Sequence, residues 1–276
     1  MAKSELPLRD LYLDIALQAA RKGGEVLKKY WGKLSQIKEK TIPGNLVTEA
    51  DQESEREILG ILKKNFPSHD IIAEETGMHL LQKSNFCWYV DPLDGTTNYA
   101  HQYPTVNISI GLFEKGQPLV AVVFNPFYDE LFYAVRGKGA FLNDEKIHVS
   151  NVASLEKSLL ATGFPYDRKE TNDNNYAEFC ELTNQSHGVR RAGAAALDLA
   201  YVAAGRLDGY WERGLNPWDV AAGALLVLEA GGKVSDYNLE SFNIKSDRIL
   251  ATNGLVHEAI SEVLLQVRNK QGITTR

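Results

Sequence analysis

Two aspartates stand three residues apart in Asp91-Pro92-Leu93-Asp94-Gly95-Thr96-Thr97-Asn98, directly after the apolar run Phe86-Cys87-Trp88-Tyr89-Val90. The run reads as a buried strand, and Pro92 and Gly95 force a turn where it stops. Two like charges at a strand end repel each other unless something positive sits between them. A pair of Mg²⁺ ions would supply that charge, because Mg²⁺ prefers oxygen ligands of this kind. Asp-Pro and Asp-Gly are also ordinary turn dipeptides, so the segment alone does not decide the matter.

Other carboxylates at element edges add weight. Glu74-Glu75 follows the apolar pair Ile71-Ile72, Asp51 lies in Thr48-Glu49-Ala50-Asp51, and Asp219 lies in Trp218-Asp219-Val220-Ala221-Ala222-Gly223. Each has a plain alternative: a capping box for Asp51, a helix-dipole contact for Asp219 and a solvated loop pair for Glu74-Glu75. Carboxylates brought together from several elements are nevertheless what a two-metal site requires.

The elements that must position them can be read from periodicity. Residues 8 to 31 predict an amphipathic helix, with Leu8, Leu11, Tyr12, Ile15 and Ala19 at helical spacing. A second helix is expected from Thr48 to about Lys64, ended by Pro67. Strands are expected at 105–113, 119–124 and 131–135, with turns at Glu114-Lys115-Gly116-Gln117, Asn125 to Asp129, Gly137-Lys138-Gly139 and Asn143-Asp144. This half reads as an antiparallel meander. The second half alternates short strands, at 158–163, 208–212, 232–236 and 248–252, with helices, the last near 255–269. The order predicts an α+β layered sandwich (α-β-α-β-α), with an antiparallel sheet in the N-terminal half, a mixed sheet in the C-terminal half, and helices between and outside. Residues 1–270 are expected to form a single catalytic unit with lobes at about 1–150 and 151–270, and 271–276 a disordered tail.

Composition narrows the classes. The 276 residues are 44% hydrophobic and 24% charged, ordinary for a globular protein with a substantial core. Two cysteines, Cys87 and Cys180, make no disulfide framework and suit a reducing compartment. The first residues show no signal-peptide core and no run is long enough to cross a bilayer, so a cytoplasmic protein without membrane contact is expected. A net charge of −6 without a long basic run argues against nucleic acid as a main ligand. An acidic protein still binds small anions where metal ions reverse the local charge.

Taken together, Asp91 to Asn98, Trp218 to Gly223, Glu74-Glu75 and Leu46-Val47-Thr48-Glu49-Ala50-Asp51 resemble the inositol monophosphatase family of Mg²⁺-dependent, Li⁺-sensitive phosphatases in order and approximate spacing. The resemblance runs from about residue 10 to 268. It implies that Glu74, Asp91 and the carbonyl of Leu93 hold one metal, and that Asp91, Asp94 and Asp219 hold a second, with two or three Mg²⁺ ions in all. In two-metal sites the ions lie about 3.5–4 Å apart and clamp the attacking and leaving oxygens. Thr96 would orient the attacking water, with its hydroxyl fixed by Asp51 and with Glu74 assisting. Asp94 and the amides of Gly95 and Thr96 would face the phosphate, and Lys40 would be a supporting cation. Gly193, Ala194, Ala195 and Glu212 match the stretch that contacts the alcohol half of the ester, where Glu212 would accept hydrogen bonds from hydroxyls or pair with an ammonium. The family commonly has Ser or Thr where this chain has Ala194.

The implied activity is phosphomonoester hydrolysis of a small phosphate ester, inositol 1-phosphate first, by a homodimer. Histidinol phosphate, fructose 1,6-bisphosphate and 3′-phosphoadenosine 5′-phosphate are substrates of relatives with the same metal motifs. The haloacid dehalogenase type of phosphatase also has Asp-Gly-Thr, but its aspartates are two apart, whereas here they are three apart with Pro92 between. Gly137-Lys138-Gly139-Ala140 precedes no predicted helix, which argues against a nucleotide loop. There is no Gly-x-Ser-x-Gly elbow and no zinc-like pairing of the six histidines. A non-catalytic interaction protein would be expected to lose carboxylates first, and none of the four ligand carboxylates is missing.

Overall fold

The computed structural model describes residues 5–40, 44–81 and 84–273, with side chains from residue 10 onward. Helix α1 (Glu5–Tyr30) is followed by a short hairpin of β1 (Ile37–Glu39) and β2 (Leu46–Thr48), then α2 (Glu49–Asn65), β3 (Asp70–Ala73), β4 (Gly77–His79) and β5 (Phe86–Asp94). A short α3 (Thr96–Ala100) leads into β6 (Asn107–Glu114), β7 (Gln117–Asn125), β8 (Glu130–Val135), β9 (Gly139–Leu142) and β10 (Glu145–Ile147). The second half comprises β11 (Leu159–Thr162), α4 (Tyr176–Gln185), β12 (Gly188–Arg190), α5 (Ala195–Ala203), β13 (Gly209–Arg213), α6 (Pro217–Glu229), β14 (Lys233–Ser235), β15 (Arg248–Thr252) and α7 (His257–Lys270).

Among the described residues these strands form an eight-stranded sheet, ordered β10-β9-β8-β7-β6-β5-β3-β4, and a five-stranded sheet, ordered β12-β11-β13-β15-β14. Three apolar cores bind the layers. Ala16, Ala19, Ala20 and Leu27 of α1 and Ile58 and Leu62 of α2 pack on Trp88, Val90, Ile108, Ile110 and Val122 of the first sheet. The opposite face of that sheet, through Ala121, Val123 and Phe132, meets α5 and α6, which also pack on Tyr210, Ile249 and Ala251 of the second sheet. Outside it, Ile260 and Leu264 of α7 and Leu182 of α4 cover Leu160, Trp211 and Leu250. The result is the α-β-α-β-α sandwich. Burial of each large aliphatic side chain contributes about 1.5–3 kcal/mol, which is why the apolar faces decide the layering.

Several details differ from the sequence reading, among them the unexpected short strands β4, β10 and β12. β5 does not stop at Val90. It continues to Asp94, pairing Asp91 with Ser109 and Asp94 with Asn107 across a register shift. The two residues between the aspartates are absorbed as a bulge, which re-aims side chains without ending the strand. The first sheet is antiparallel except where β3 runs parallel to β5, with the edge strand β4 lying between them in the chain. Leu11 is exposed, because the α1 face that meets α2 is the Tyr12–Ala16–Ala19–Leu27 stripe, to one side of it. The β1–β2 hairpin was not foreseen. Of the expected tail, Gln271 and Gly272 form a turn, and residues 274–276 lie outside the described residues. No helix among the described residues is long and apolar enough to cross a membrane.

Candidate active site

The bulge in β5 is the floor of the site. Leu93 N–H donates to Asp91 Oδ1 at 3.0 Å, which fixes one carboxylate against its own turn. Gly95 follows at φ 90°, a left-handed conformation, with Thr105 O only 3.0 Å from where a Cβ would stand. A side chain there would be both strained and crowded. Gly95 thereby turns the chain from β5 into α3, whose first residue is Thr96.

Thr48 and Asp51 form the capping box read from the sequence. Thr48 N–H donates to Asp51 Oδ2 at 2.7 Å, and Thr48 Oγ1 accepts from Ala50 N at 3.1 Å. The same carboxylate serves a second element: Thr96 Oγ1 lies 2.9 Å from Asp51 Oδ1 and 3.1 Å from Leu93 O. One hydroxyl hydrogen is shared between these two acceptors, so the lone pairs of Thr96 Oγ1 remain for a donor on the cavity side. Asp51 is fully buried, and burial pushes its carboxyl up to about 6 despite the bonds from Thr48 and Thr96. One carboxylate makes both the cap and the bond to Thr96, so a capping role for Asp51 does not exclude a second one.

Around Asp91 the charges are dense. Burial, and then Glu74, Asp94 and Asp219, push its carboxyl well above the ordinary range. Asp94 is pushed up to about 6 by burial, which the donors Asn107 Nδ2 and Ala196 N, both at 2.8 Å, partly offset. Asp219 sits in the first turn of α6 behind Pro217, accepts from Asn216 N at 2.7 Å, and is raised by burial and by Glu74. Glu74 follows β3, its N–H bonded to Val90 O at 3.1 Å, so β3–β5 pairing carries it to Asp91. Lys40, at the end of β1, donates to Glu74 Oε1 at 2.8 Å and to Glu75 Oε1 at 2.6 Å. Glu75 is pushed up to about 7 by burial even with that partner. One ammonium for this many carboxylates leaves the group short of positive charge.

The opposite wall comes from the second half. Glu212, on β13, is pushed up to about 7 by burial, and its Oε2 accepts a hydrogen bond from the buried Tyr210 hydroxyl. Gly163, just past β11, lies so close that a Cβ there would stand 2.1 Å from Glu212 Oε2. Gly193, Ala194 and Ala195 enter α5, and Ala194 gives that helix no side-chain cap. Asp94 caps it instead from far away in sequence, through the amide of Ala196. The absent hydroxyl at position 194 is thus not needed to start the helix.

These groups face one cavity of about 520 Å³, lined by Glu74, Asp91, Leu93, Asp94, Gly95, Thr96, Gly193, Ala194, Ala195, Glu212 and Asp219. Asp51 and Lys40 stand behind its wall, touching it through Thr96 and Glu74. Sequence reasoning missed Asn107, which bonds Asp94, and the lining residues Tyr166, Arg168 and Arg191. The stretch Gly163-Phe164-Pro165-Tyr166-Asp167-Arg168 was the available signal: a loop mixing aromatic and charged residues directly after a predicted strand.

Among the described residues no group of three or more His, Cys, Asp or Glu side chains is already arranged to hold a metal ion. The donor chemistry nevertheless fits Mg²⁺: the candidate ligands are all oxygens, Asp91 buried and Glu74, Asp94 and Asp219 half-buried, they repel one another, and Mg²⁺ takes such oxygens while retaining several waters.

Comparison with known proteins agrees with this geometry. The sequence model of the Inositol monophosphatase family matches residues 9–272. The chain is 54% identical to the Inositol-1-monophosphatase of Synechocystis sp., over 92% of this chain and 88% of that protein. It is 45% identical to the Nus factor SuhB of Pseudomonas aeruginosa, over 90% and 93%. The inositol monophosphatase structure from Anabaena (Nostoc) sp. superposes with a TM-score of 0.86 at 52% identity, covering 93% of this chain and 96% of that one.

Proposed function

Because the chain belongs to the inositol monophosphatase family, and is therefore a phosphoric monoester hydrolase, we propose that it hydrolyses a small polyol phosphate, inositol 1-phosphate foremost, by direct attack of water. The observation that carries this reading is the joining of two halves in one cavity. Asp91, Asp94, Asp219 and Glu74 line it together with Thr96 from the first half and with Glu212 from β13.

Glu74, Asp91 and Leu93 O would hold one Mg²⁺, and Asp91, Asp94 and Asp219 a second. Bound there, Mg²⁺ supplies Lewis acidity to phosphoryl oxygens and makes a water more acidic. Thr96 Oγ1 gives its hydrogen toward Asp51 and Leu93 O, and so accepts one from the attacking water, holding that oxygen toward phosphorus. Asp51 cannot swing away, because its other oxygen is tied to Thr48. Glu74 is the carboxylate placed to receive the proton that the water loses. The bond from phosphorus to the ester oxygen breaks, the departing alkoxide takes a proton from a solvent water and leaves as the alcohol, and Glu74 returns its proton to solvent. Glu212 accepts hydrogen bonds from hydroxyls of the alcohol half, and the short Gly193-Ala194-Ala195 surface lets a ring approach.

We further read the chain as one catalytic unit acting as a cytoplasmic homodimer inhibited by Li⁺, with two or three Mg²⁺ ions. The relatives called Nus factor SuhB favour a second reading, a regulatory role in addition to hydrolysis. A folded Asp94→Asn chain that retained such a role would separate the two.

The test is phosphate release by purified protein, with and without Mg²⁺. The panel is inositol 1-phosphate, histidinol phosphate, fructose 1,6-bisphosphate and 3′-phosphoadenosine 5′-phosphate, and it is repeated on Asp94→Asn. Mg²⁺-dependent release, lost in the variant and fastest by kcat/KM on inositol 1-phosphate, is the expected result. Equal activity in Asp94→Asn would overturn the metal reading, and a different ranking would replace the substrate.

A further inference from the structure

Residues 163–175 leave β11 and return to α4, and one side of this loop, Phe164, Pro165, Tyr166 and Arg168, lines the cavity, with Tyr166 within electrostatic reach of Glu74, Asp219 and Asp94. Its neck is closed by Asn175. That residue holds a left-handed conformation and donates through Nδ2 to Gly163 O at 2.6 Å and Thr162 Oγ1 at 2.8 Å. Its Oδ1 accepts from Trp211 Nε1 at 2.7 Å, which ties the neck to β13. A compact loop whose ends meet in this way is a frequent carrier of function.

The body of the loop is held by charge. Asp167 accepts two bonds from Arg213, at 2.7 and 3.0 Å, in a bidentate pair. Asp173 meets three guanidinium groups from three elements: Arg268 Nη1 of α7 at 2.6 Å, Arg248 Nη2 of β15 at 2.6 Å, and Arg213 Nε of β13 at 3.3 Å. Burial alone would raise the Asp173 carboxyl, but Arg268 and Arg248 hold it below the ordinary range. Arg213 follows Glu212 directly along the strand. Successive side chains in a strand point to opposite sides, so Glu212 looks into the cavity while Arg213 grips the loop. The strand that presents the substrate carboxylate therefore also fixes the wall facing it.

We propose that Asp167, Asp173 and Arg213 are positioning residues that set the gap between Glu212 and the Tyr166–Arg168 wall, and with it the grip on the alcohol half of the ester. The inference rests on the hydrolase reading above for its substrate and on the loop geometry for its mechanism. Neither aspartate lines the cavity, so each acts through the loop. The phosphate end, built on β5 and α6, shares no hydrogen bond with Asp167, Asp173 or Arg213, so inorganic phosphate should sense the clamp less than the whole ester does.

The experiment is Asp167→Asn, with Asp167→Glu as the conservative variant. Three quantities are read: KM and kcat on inositol 1-phosphate, inhibition by inorganic phosphate, and hydrogen exchange of the amides of residues 164–170. In Asp167→Asn, KM should rise about 2- to 5-fold, the size expected for one partly exposed bidentate pair, with kcat within about twofold. Phosphate inhibition should weaken less than KM rises, amide exchange in the loop should quicken, and Asp167→Glu should restore KM. An unchanged KM would reduce the clamp to a fold staple and overturn the inference. Equal loss of KM and phosphate inhibition would overturn it too, by showing that the whole site had moved. Should the wild-type protein hydrolyse none of the esters, the substrate reading fails by itself. The exchange measurement then decides the clamp, and unaltered loop exchange in Asp167→Asn overturns it.

Discussion

Replacing Gly163 with alanine drives a methyl group into the Glu212 carboxylate. The backbone at Gly163 is not left-handed, so alanine brings no torsional strain and the perturbation is the Cβ alone. That Cβ would stand 2.1 Å from Oε2 and 2.2 Å from Oε1 of Glu212. Ordinary contact between such atoms needs about 3.5 Å, so the carboxylate must retreat by about 1 Å or more. Retreat takes it off the Tyr210 hydroxyl, and Tyr210 is completely buried with Glu212 as its partner. A buried hydroxyl left without a partner costs about 1–3 kcal/mol, which is the expected loss of stability. The substrate loses a hydrogen bond to a charged group at the same time, about 1.5–3 kcal/mol, or roughly 10- to 150-fold in kcat/KM. The assay pairs urea denaturation with initial rates on inositol 1-phosphate across a Mg²⁺ titration. The Mg²⁺ midpoint should shift less than kcat/KM falls, because Glu212 is not among the carboxylates proposed to hold Mg²⁺. A Gly163→Ala protein with wild-type stability and kcat/KM would show that the carboxylate moves freely and that this wall does not define the site.

Three further outcomes follow from the same geometry. Thr96→Val should remove the hydroxyl between Asp51 and the attacking water and lower kcat by about 10²- to 10⁴-fold while the protein still folds; Thr96→Ser should recover most of it, and turnover within tenfold of wild type in the valine variant would contradict the role. Lys40→Met removes the ammonium bonded to Glu74, so Mg²⁺ measured by calorimetry should bind several-fold tighter while the metal-free protein melts lower; unchanged or weaker Mg²⁺ binding would argue against competition for Glu74. His257, buried between Ser235 and Thr252, has its pKa pushed down to about 4 by burial. Its folded pKa lies below the unfolded value near 6.5, so its contribution is fully present above pH 6.5. It is lost as pH falls from about 6.5 to 4, by up to about 3 kcal/mol. The difference in urea midpoint between wild type and His257→Gln, followed from pH 7 to 4.5, reads this contribution, and a pH-independent difference would refute it.

Much of the fold was legible because it is local. The second helix, the β6–β7 and β8–β9 turns and the strands near 159–162 and 248–252 follow from turn residues and from periods of two and 3.6, which act over a few neighbours. The Thr48–Asp51 cap was readable for the same reason, since both partners share one helical turn. The carboxylates Glu74, Asp91, Asp94 and Asp219 could be named as a set by their place at element ends. Other features were out of reach. The course of β5 past Val90 depends on Asn107 opposite Asp94, a partner on another strand. The β1–β2 hairpin is three residues a side, too short to show a period.

What the amino-acid sequence determined by itself is therefore the inventory and its spacing: which carboxylates, glycines and hydroxyls exist, and which local turn holds each. Only the tertiary structure decided which of them meet. It turned the second oxygen of Asp51 to Thr96, brought Lys40 onto Glu74, made Asp94 the cap of α5, and closed the loop at Asp173 with arginines from three elements. The reason is physical. Spacing along a chain constrains atoms within a few residues, whereas contacts between distant residues are set by sheet register and by the burial of apolar faces, which fix all elements at once.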